Sequence, residues 1–396
     1  MRIVALLTAL LAAALVAVES PQPAGAQPAV EARAVAPAGV RAPPGFRLIV
    51  ANRDVRVNPG HRPALALLCP RAYSAVSWGF QVVNFTQTGP IAAVLQGVRP
   101  ILRNNGVPAG WTFTIFNPAP VGTGLPVSAR LQATCLQPID GARVVGRGQR
   151  ALGAAGGGNE NPTLELGVVD RKVTGTSVRA LCPRGEIAFS AGFSSDAGHE
   201  LSGYVPIAGR RSGLELRFAS QSAPARAVAA RGGGNRLIAH NICGSGENGL
   251  TVSENSSQKK PRTGELKIET GQTSSLTASQ NASGFDFTCG TPDSSGGFTP
   301  QGVNLGLGFE IKDLATPGRP AVSPTGRPLV VSWAHSPDDS TGRFLPWTRT
   351  FIVLPATLPI AVDLFFKCLK ARTVAEATFR GGPAFVLRLE RPAGVG

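Results

Sequence analysis

Alternating hydrophobic and polar residues recur along most of the chain. In residues 111–115 bulky apolar side chains alternate with threonine, and in residues 214–218 leucine and phenylalanine alternate with Glu215 and Arg217. A period of two places successive side chains on opposite faces of a strand. Short runs rich in Val, Ile, Thr and Phe lie between Gly, Pro and Asn, and helical periodicity does not recur. The pattern predicts an all-β protein of antiparallel strands.

A twelve-residue segment that begins at a cysteine occurs twice. Residues 69–80 align without gaps to residues 182–193, with seven of the twelve positions identical, and both segments end in Gly-Phe. The interval of 113 residues is the size of a domain rather than of a solenoid repeat. A looser third copy of the segment begins at Cys289, and its Gly-Phe pair is either residues 297–298 or residues 308–309.

Each of the three units also opens with a run that is typical of a strand, before its first cysteine. These runs are residues 46–50, 164–169 and 265–269. We therefore predict three tandem antiparallel β-sandwich domains, Greek-key or jelly-roll in topology and immunoglobulin-like in outline. Their expected bounds are residues 27–157, 158–262 and 263–396.

The six cysteines are expected to form one disulfide in each unit. An even number of cysteines in an exported protein indicates disulfides. Similar residues precede Cys135 and Cys243, and Trp347 in the third unit matches Trp111 in the first, because each is followed by a Thr-rich stretch and then by a cysteine. The predicted pairs are Cys69–Cys135, Cys182–Cys243 and Cys289–Cys368.

The first 26 residues have the pattern of a secretory signal peptide. Arg2 precedes an apolar run over residues 3–18, which is shorter than the roughly 20 residues of a membrane span, and small residues at 24–26 form a cleavage site. We expect a secreted or periplasmic protein that begins near Gln27 and has no membrane span.

Charge is concentrated in the first unit. The whole chain has a net charge of +15, and residues 27–157 alone, with 13 basic and 3 acidic side chains, have +10. The second and third units have +4 and +1. The positive electrostatic field of the first unit attracts polyanions. The alternative is that this charge only keeps the protein soluble. The candidate anion-binding residues are Arg47, Arg53, Arg56, Arg62 and Arg71. An anionic polysaccharide or envelope polymer is the expected partner, ahead of nucleic acid.

The sequence contains no catalytic or metal-binding motif. The four histidines, at positions 61, 199, 240 and 335, have no zinc-ligand spacing, and there is no G-x-S-x-G elbow. A Ser-His-Asp triad is recognised by geometry rather than by spacing, so the sequence leaves it open. Asp338 and Asp339 lie in a turn-like segment that is also compatible with Ca²⁺. We predict no catalytic residue, no metal and no cofactor.

The expected function is therefore a secreted, non-catalytic binding or adhesion protein made of tandem β modules. Two alternatives stay open. One is a secreted hydrolase with a single site in the divergent third unit, built from Trp333, His335, Asp338 and Asp339. The other is a structural protein of the cell envelope.

Overall fold

A similar succession of strands recurs three times along the chain, and the third repeat adds three strands to the seven of the others. The structure is a computed structural model that describes residues 42–83, 93–117, 119, 121–122, 124–149, 161–195, 200–207, 209, 211–219, 236–255, 260–278, 283–292, 298–313, 330–337, 344–353, 360–379 and 382–390. These described residues form strands, turns and loops, and no helix occurs among them. The predicted signal peptide lies outside the described residues.

The strands divide among the three repeats as follows. The first repeat contains β1 (Gly45–Val57), β2 (Ala64–Leu68), β3 (Ser74–Val82), β4 (Val94–Leu102), β5 (Pro108–Phe116), β6 (Val127–Ile139) and β7 (Arg143–Gly146). The second contains β8 (Thr163–Thr174), β9 (Ser177–Leu181), β10 (Ile187–Ser195), β11 (Glu200–Ile207), β12 (Gly213–Ala219), β13 (Arg236–Glu247) and β14 (Thr251–Asn255). The third contains β15 (Glu265–Ala278), β16 (Ser283–Thr288), β17 (Gly290–Pro292), β18 (Phe298–Pro300), β19 (Val303–Asp313), β20 (Val330–Pro337), β21 (Phe344–Val353), β22 (Ile360–Lys370), β23 (Thr373–Phe379) and β24 (Gly382–Arg388).

The prediction of an all-β fold is confirmed. The three strand-like runs that open the units lie in β1, β8 and β15. The alternating segment of residues 111–115 lies in β5, where the apolar side chains are fully buried and the threonines are half-buried. The alternation therefore identified strands with a buried face.

The three large sheets each combine strands of two repeats. Sheet A has the order β16-β21-β20-β3-β6-β1-β24-β23, sheet B has β2-β5-β4-β10-β13-β8-β7, and sheet C has β14-β15-β22-β19-β11-β12-β9. Sheet B joins the first repeat to the second, sheet C the second to the third, and sheet A the third back to the first. Residues 42–396 form one compact unit. The expectation was one sandwich for each repeat, whereas the structure shares the sheets between repeats.

The recurring Gly-Phe pairs lie where the strands of two repeats meet. Each phenylalanine stands opposite a residue of the neighbouring repeat, the pairs being Phe80 with Trp333, Phe193 with Val98, and Phe309 with Tyr204. The Gly-Phe pair of the third unit is therefore residues 308–309. The repeated dipeptide marks the contact between repeats.

Glycine is required at this contact because the neighbouring backbone approaches too closely for a side chain. A Cβ atom at Gly192 would lie 2.1 Å from the carbonyl oxygen of Val98. At Gly308 it would lie 2.7 Å from the carbonyl oxygen of Tyr204. At Gly79 the distance to the carbonyl oxygen of Trp333 would be 3.0 Å, which is tighter than most Cβ contacts but can be relieved by a small shift. The absence of a side chain lets strands of two repeats pair in one sheet.

The three predicted disulfides are confirmed. The bonds join Cys69 to Cys135, Cys182 to Cys243, and Cys289 to Cys368, each with 5.7 Å between the Cα atoms. Each bond lies within one repeat and is buried.

The match of Trp347 to Trp111, which helped to pair the third disulfide, is wrong by two residues. The backbone amide of Cys289 donates to the carbonyl of Trp347, as that of Cys69 donates to the carbonyl of Ala109. Arg349 is therefore the counterpart of Trp111. A shift of two keeps every side chain on its face of the strand, so the alternating pattern could not reveal the error.

One aromatic residue from each repeat meets the other two in the core. The ring centroid of Trp333 lies 4.3 Å from that of Trp78 and 4.5 Å from that of Tyr204. The centroids of Trp78 and Tyr204 are 6.3 Å apart. All three side chains are nearly fully buried. The three repeats therefore share a hydrophobic core as well as their sheets.

Within the described residues, no helix has the length and apolar character that crossing a membrane requires.

Candidate functional site: the junction face of sheet B

A group of polar residues shares one face of sheet B where the first and second repeats meet. Asp170 on β8 stands opposite His240 on β13, while Ser194 on β10 and Lys172 on β8 both stand opposite Ile238. Residues that stand opposite each other in an antiparallel pair lie on the same face. Arg99 on β4 joins this face, since it lies two residues from Gly97, the partner of Ser194. We call Arg99, Asp170, Lys172, Ser194 and His240 the junction face of sheet B.

Three of these residues form a chain of hydrogen bonds. The Nδ1 atom of His240 lies 2.8 Å from Oδ1 of Asp170, and its Nε2 atom lies 3.1 Å from Oγ of Ser194. A carboxylate accepts hydrogen bonds, so Nδ1 carries the proton and donates it to Asp170. The lone pair on Nε2 therefore faces the hydroxyl of Ser194. This is the order of groups in a Ser-His-Asp triad.

The surroundings of His240 keep its imidazole neutral at pH 7. Burial lowers the pKa of His240 below its ordinary 6.5, and the positive charge of Arg99 lowers it further, against the opposing effect of Asp170. The side chain of His240 is 9% exposed, whereas that of Asp170 is 54% exposed. The ring is thus enclosed at the edge of an accessible polar surface.

The cations around this triad have no carboxylate partner among the described residues. Arg99 is exposed, and neither it nor Lys172 forms an ion pair within the described ranges. Arg62 reaches the same region, because its guanidinium lies 3.4 Å from the carbonyl oxygen of Ser195, the residue after Ser194. The one acidic residue of the junction face, Asp170, is engaged by His240. The face therefore has a net positive charge.

The equivalent face of sheet C is electrically neutral. Its Glu215 accepts hydrogen bonds from Nε of Arg179 at 2.8 Å and from Nε of Arg217 at 2.9 Å. Burial acts to raise the pKa of Glu215, but these two bonds outweigh it and leave the pKa below its ordinary value. Arg217 also pairs with Glu310, and Lys312 pairs with Asp363. Three cations and three carboxylates balance each other.

On the equivalent face of sheet A, Arg130 is paired with a carboxylate, whereas the exposed Arg56 forms no ion pair within the described ranges. Arg130 makes two hydrogen bonds to Asp54, from Nε at 2.7 Å and from Nη2 at 3.0 Å. The positions of Asp170, Ser194 and His240 are filled by uncharged amides in the first repeat. These are, in the same order, Asn52, Gln81 and Gln132. The triad occurs in the second repeat, and the comparable positions of the third are Gln272, Glu310 and Phe365.

The five arginines predicted to bind anions do not form one cluster. Arg47 and Arg53 lie six residues apart on β1, which is about 20 Å along a strand. Arg56 lies an odd number of residues from Arg53 and so points to the opposite face of β1. Arg71 is exposed in the turn that follows Cys69. Only Arg62 has a contact that brings it to the junction face of sheet B.

The two described residues of the hydrolase site that the sequence suggested in the third repeat, Trp333 and His335, are buried in the core rather than exposed at a surface. His335 is 1% exposed, and its Nδ1 lies 3.1 Å from the carbonyl oxygens of Leu345 and Thr348, so Nδ1 carries the proton. Its Nε2 accepts from Nη2 of Arg349 at 3.1 Å. Trp333 belongs to the aromatic core. The lone pair of His335 is thus occupied inside the protein. Asp338 and Asp339 lie outside the described residues.

The sequence interpretation considered His240 but missed its partners. Asp170 and Ser194 lie 70 and 46 residues from His240, and only the strand register brings them to it. A comparison of the repeats position by position, anchored on Gly-Phe and on the cysteines, could have found them. Three uncharged polar residues of the first repeat become Asp, Ser and His in the second.

Comparisons with protein-family models and with curated proteins identify no relative of this chain. No family model matches it, and no curated protein matches it. Among the described residues, no group of three or more His, Cys, Asp or Glu side chains could hold a metal ion. The interpretation of function therefore depends on the junction face itself.

Proposed function

We propose that the protein is an exported binding protein whose junction face of sheet B binds an anionic polysaccharide or envelope polymer. The proposed modules are the three repeats, residues 27–157, 158–262 and 263–396, following a signal peptide over residues 1–26. Three buried disulfides support folding in an oxidising compartment.

The observation that carries the proposal is the difference between three equivalent faces. Sheet C neutralises its three cations with carboxylates, and sheet A pairs Arg130 with Asp54 but not Arg56. Sheet B leaves Arg99, Lys172 and Arg62 without such partners among the described residues, and the uncharged Ser194 takes the position that Glu310 has in sheet C. A sulfate, phosphate or carboxylate group on a polymer would supply the missing negative charge. The high positive charge of the first repeat would speed association at low salt.

Heparin chromatography of charge-matched variants tests the proposal. The double variant Arg99→Gln/Lys172→Gln removes two cations from the junction face, and Arg217→Gln/Lys312→Gln removes two cations from the neutral face of sheet C. Both lower the net charge by the same amount. We expect the first variant to elute at clearly lower salt than the unmodified protein, because released counterions make polyelectrolyte affinity depend on each contacting cation.

The sheet C variant should elute close to the unmodified protein. Equal shifts for both variants would show that heparin responds to net charge alone. Lack of retention of the unmodified protein at low salt would also contradict the proposal.

A further inference from the structure

We infer that Ser194 is the nucleophile of an ester-hydrolysing site on the junction face of sheet B. His240 acts as its general base and Asp170 orients the imidazole. The expected substrate is an O-acyl ester carried by an anionic polysaccharide, and this substrate class rests on the proposed function.

The geometry meets the first two requirements of nucleophilic catalysis by serine. Ser194 Oγ lies 3.1 Å from His240 Nε2, within hydrogen-bonding reach of a base. The carboxylate of Asp170 fixes the tautomer from 2.8 Å on the other side of the ring. As a residue, Ser194 is half-buried rather than enclosed in the core.

A comparison with His335 shows why the Nε2 lone pair of His240 is available to act as a base. Both imidazoles donate from Nδ1, but Nε2 of His335 is held by the guanidinium of Arg349. A cation on Nε2 removes the lone pair that a base needs. Nε2 of His240 faces an alcohol, which is the proton donor that acyl transfer uses.

Arg99 supplies the positive charge that the reaction needs. It lies on the strand next to Ser194, on the same face, and close enough for its charge to act on His240. Negative charge develops on the carbonyl oxygen when the nucleophile adds, and a nearby cation stabilises it. The same cation attracts an acidic sugar that carries the ester.

The reaction balances with water as the second substrate. Oγ of Ser194 forms a bond to the acyl carbon while its proton passes to Nε2 of His240. The C–O bond to the sugar then breaks, and the departing oxygen takes that proton. Water next attacks the acyl-serine with the help of His240, which releases a carboxylic acid and restores Ser194.

Labelling of the full chain with a fluorophosphonate probe tests the inference. The P–F bond breaks and an Oγ–P bond forms, while fluoride leaves with the serine proton. We expect one adduct, on Ser194, by peptide mass spectrometry. His240→Gln should lower the labelling rate at least about 100-fold, the usual contribution of a general base. The rate of the unmodified protein should rise with pH as His240 loses its proton and then level off.

Ser275→Ala is the matched control. Ser275 is an exposed strand serine whose hydroxyl donates to Asp363 at 2.6 Å, in the equivalent region of sheet C. This variant should be labelled like the unmodified protein. Absence of an adduct on Ser194, or an unchanged rate in a folded His240→Gln variant, would overturn the inference.

Heparin retention of the same preparations separates this inference from the proposed function. Ser194→Ala keeps every charge and should bind heparin normally while losing the label. Retention of the unmodified protein without labelling would refute the esterase and leave binding in place. Labelling without retention would refute the anionic substrate class.

Discussion

Arg349 is a fully buried cation whose hydrogen bonds all go to uncharged groups. Its Nη1 donates to the carbonyl of Trp78 at 2.6 Å and its Nη2 to Oγ of Ser77 at 3.0 Å, while Nε lies 3.4 Å from the carbonyl of Asn304. Burial lowers the pKa of Arg349 to about 9, so it stays charged at pH 7. These bonds connect the first and third repeats across the core. A buried charge of this kind must be held by complete hydrogen bonding.

The pH dependence of stability should report on His335, the neutral neighbour of Arg349. Burial, and then the charge of Arg349, hold the pKa of His335 well below 6.5. As the pH falls below 6.5, the unfolded chain binds a proton there and the folded chain does not, so the free energy of unfolding decreases. The loss approaches about 1.4 kcal/mol per pH unit for each such group.

Urea unfolding at pH 7 and pH 5.5 measures this loss. Histidine dominates this interval because unfolded carboxyl groups titrate below it. His240 contributes with the same sign, since its pKa is also lowered. The variant His335→Gln should show a smaller decrease than the unmodified protein. A decrease of the same size in both would contradict the assignment.

At the scale of the strands, the sequence predicted the elements but not their partners. The Gly-Phe segments and cysteine spacings located β3, β10 and the disulfides. The alternating pattern specifies which face of a strand is buried, and that face is the same whether the neighbouring strand belongs to its own repeat or to the next. Pairing between repeats depends on the close approach at Gly79, Gly192 and Gly308, which only the structure reveals.

Gly192→Ala should therefore be strongly destabilising. Its Cβ would lie 2.1 Å from the carbonyl oxygen of Val98 and 3.0 Å from the ring of Trp111, so β4 and β10 would have to separate. We expect a loss of at least about 3 kcal/mol in the free energy of unfolding, in the upper range for single substitutions. Urea denaturation measures it.

Gly284→Ala is the control for this substitution. A Cβ there meets its nearest atom, Cγ1 of Ile352, at 3.8 Å, which is ordinary contact distance. The free energy of unfolding of the Gly284→Ala variant should change by no more than about 1 kcal/mol. Similar effects of the two substitutions would show that the contact between β4 and β10 is not sterically demanding.

At the scale of the whole molecule, the chain closes the ring of repeats with its last strands. β24 pairs with β1, where Gly45 stands opposite Arg388, and Arg388 Nη1 donates to the carbonyl of Pro43 at 2.8 Å. Sheet A thus contains strands from both ends of the described chain. Sheet B is likewise formed by strands of two repeats. The junction face therefore exists only when the first and second repeats fold together.

The candidate site was only partly predictable from the sequence, because it is formed by strands of two repeats whose pairing the sequence does not reveal. The charge asymmetry of the first repeat is visible in the sequence, and Arg62 was selected from it. Arg99 could not be distinguished from other surface arginines until the structure placed it beside Ser194 and His240. Its counterparts in sheets C and A are the uncharged Val205 and Ala334. Asp170, Ser194 and His240 became a site through strand register, which sequence spacing does not encode.

Protection of arginines by bound polymer tests the location of the binding face most directly. The full chain would be modified with p-hydroxyphenylglyoxal, with and without a heparin oligosaccharide, and each arginine would be quantified by mass spectrometry. We predict that the oligosaccharide protects Arg62 and Arg99 and leaves Arg130 and Arg217 unchanged. Protection confined to Arg53, Arg56 and Arg71, or equal protection of all arginines, would contradict binding at the junction face of sheet B.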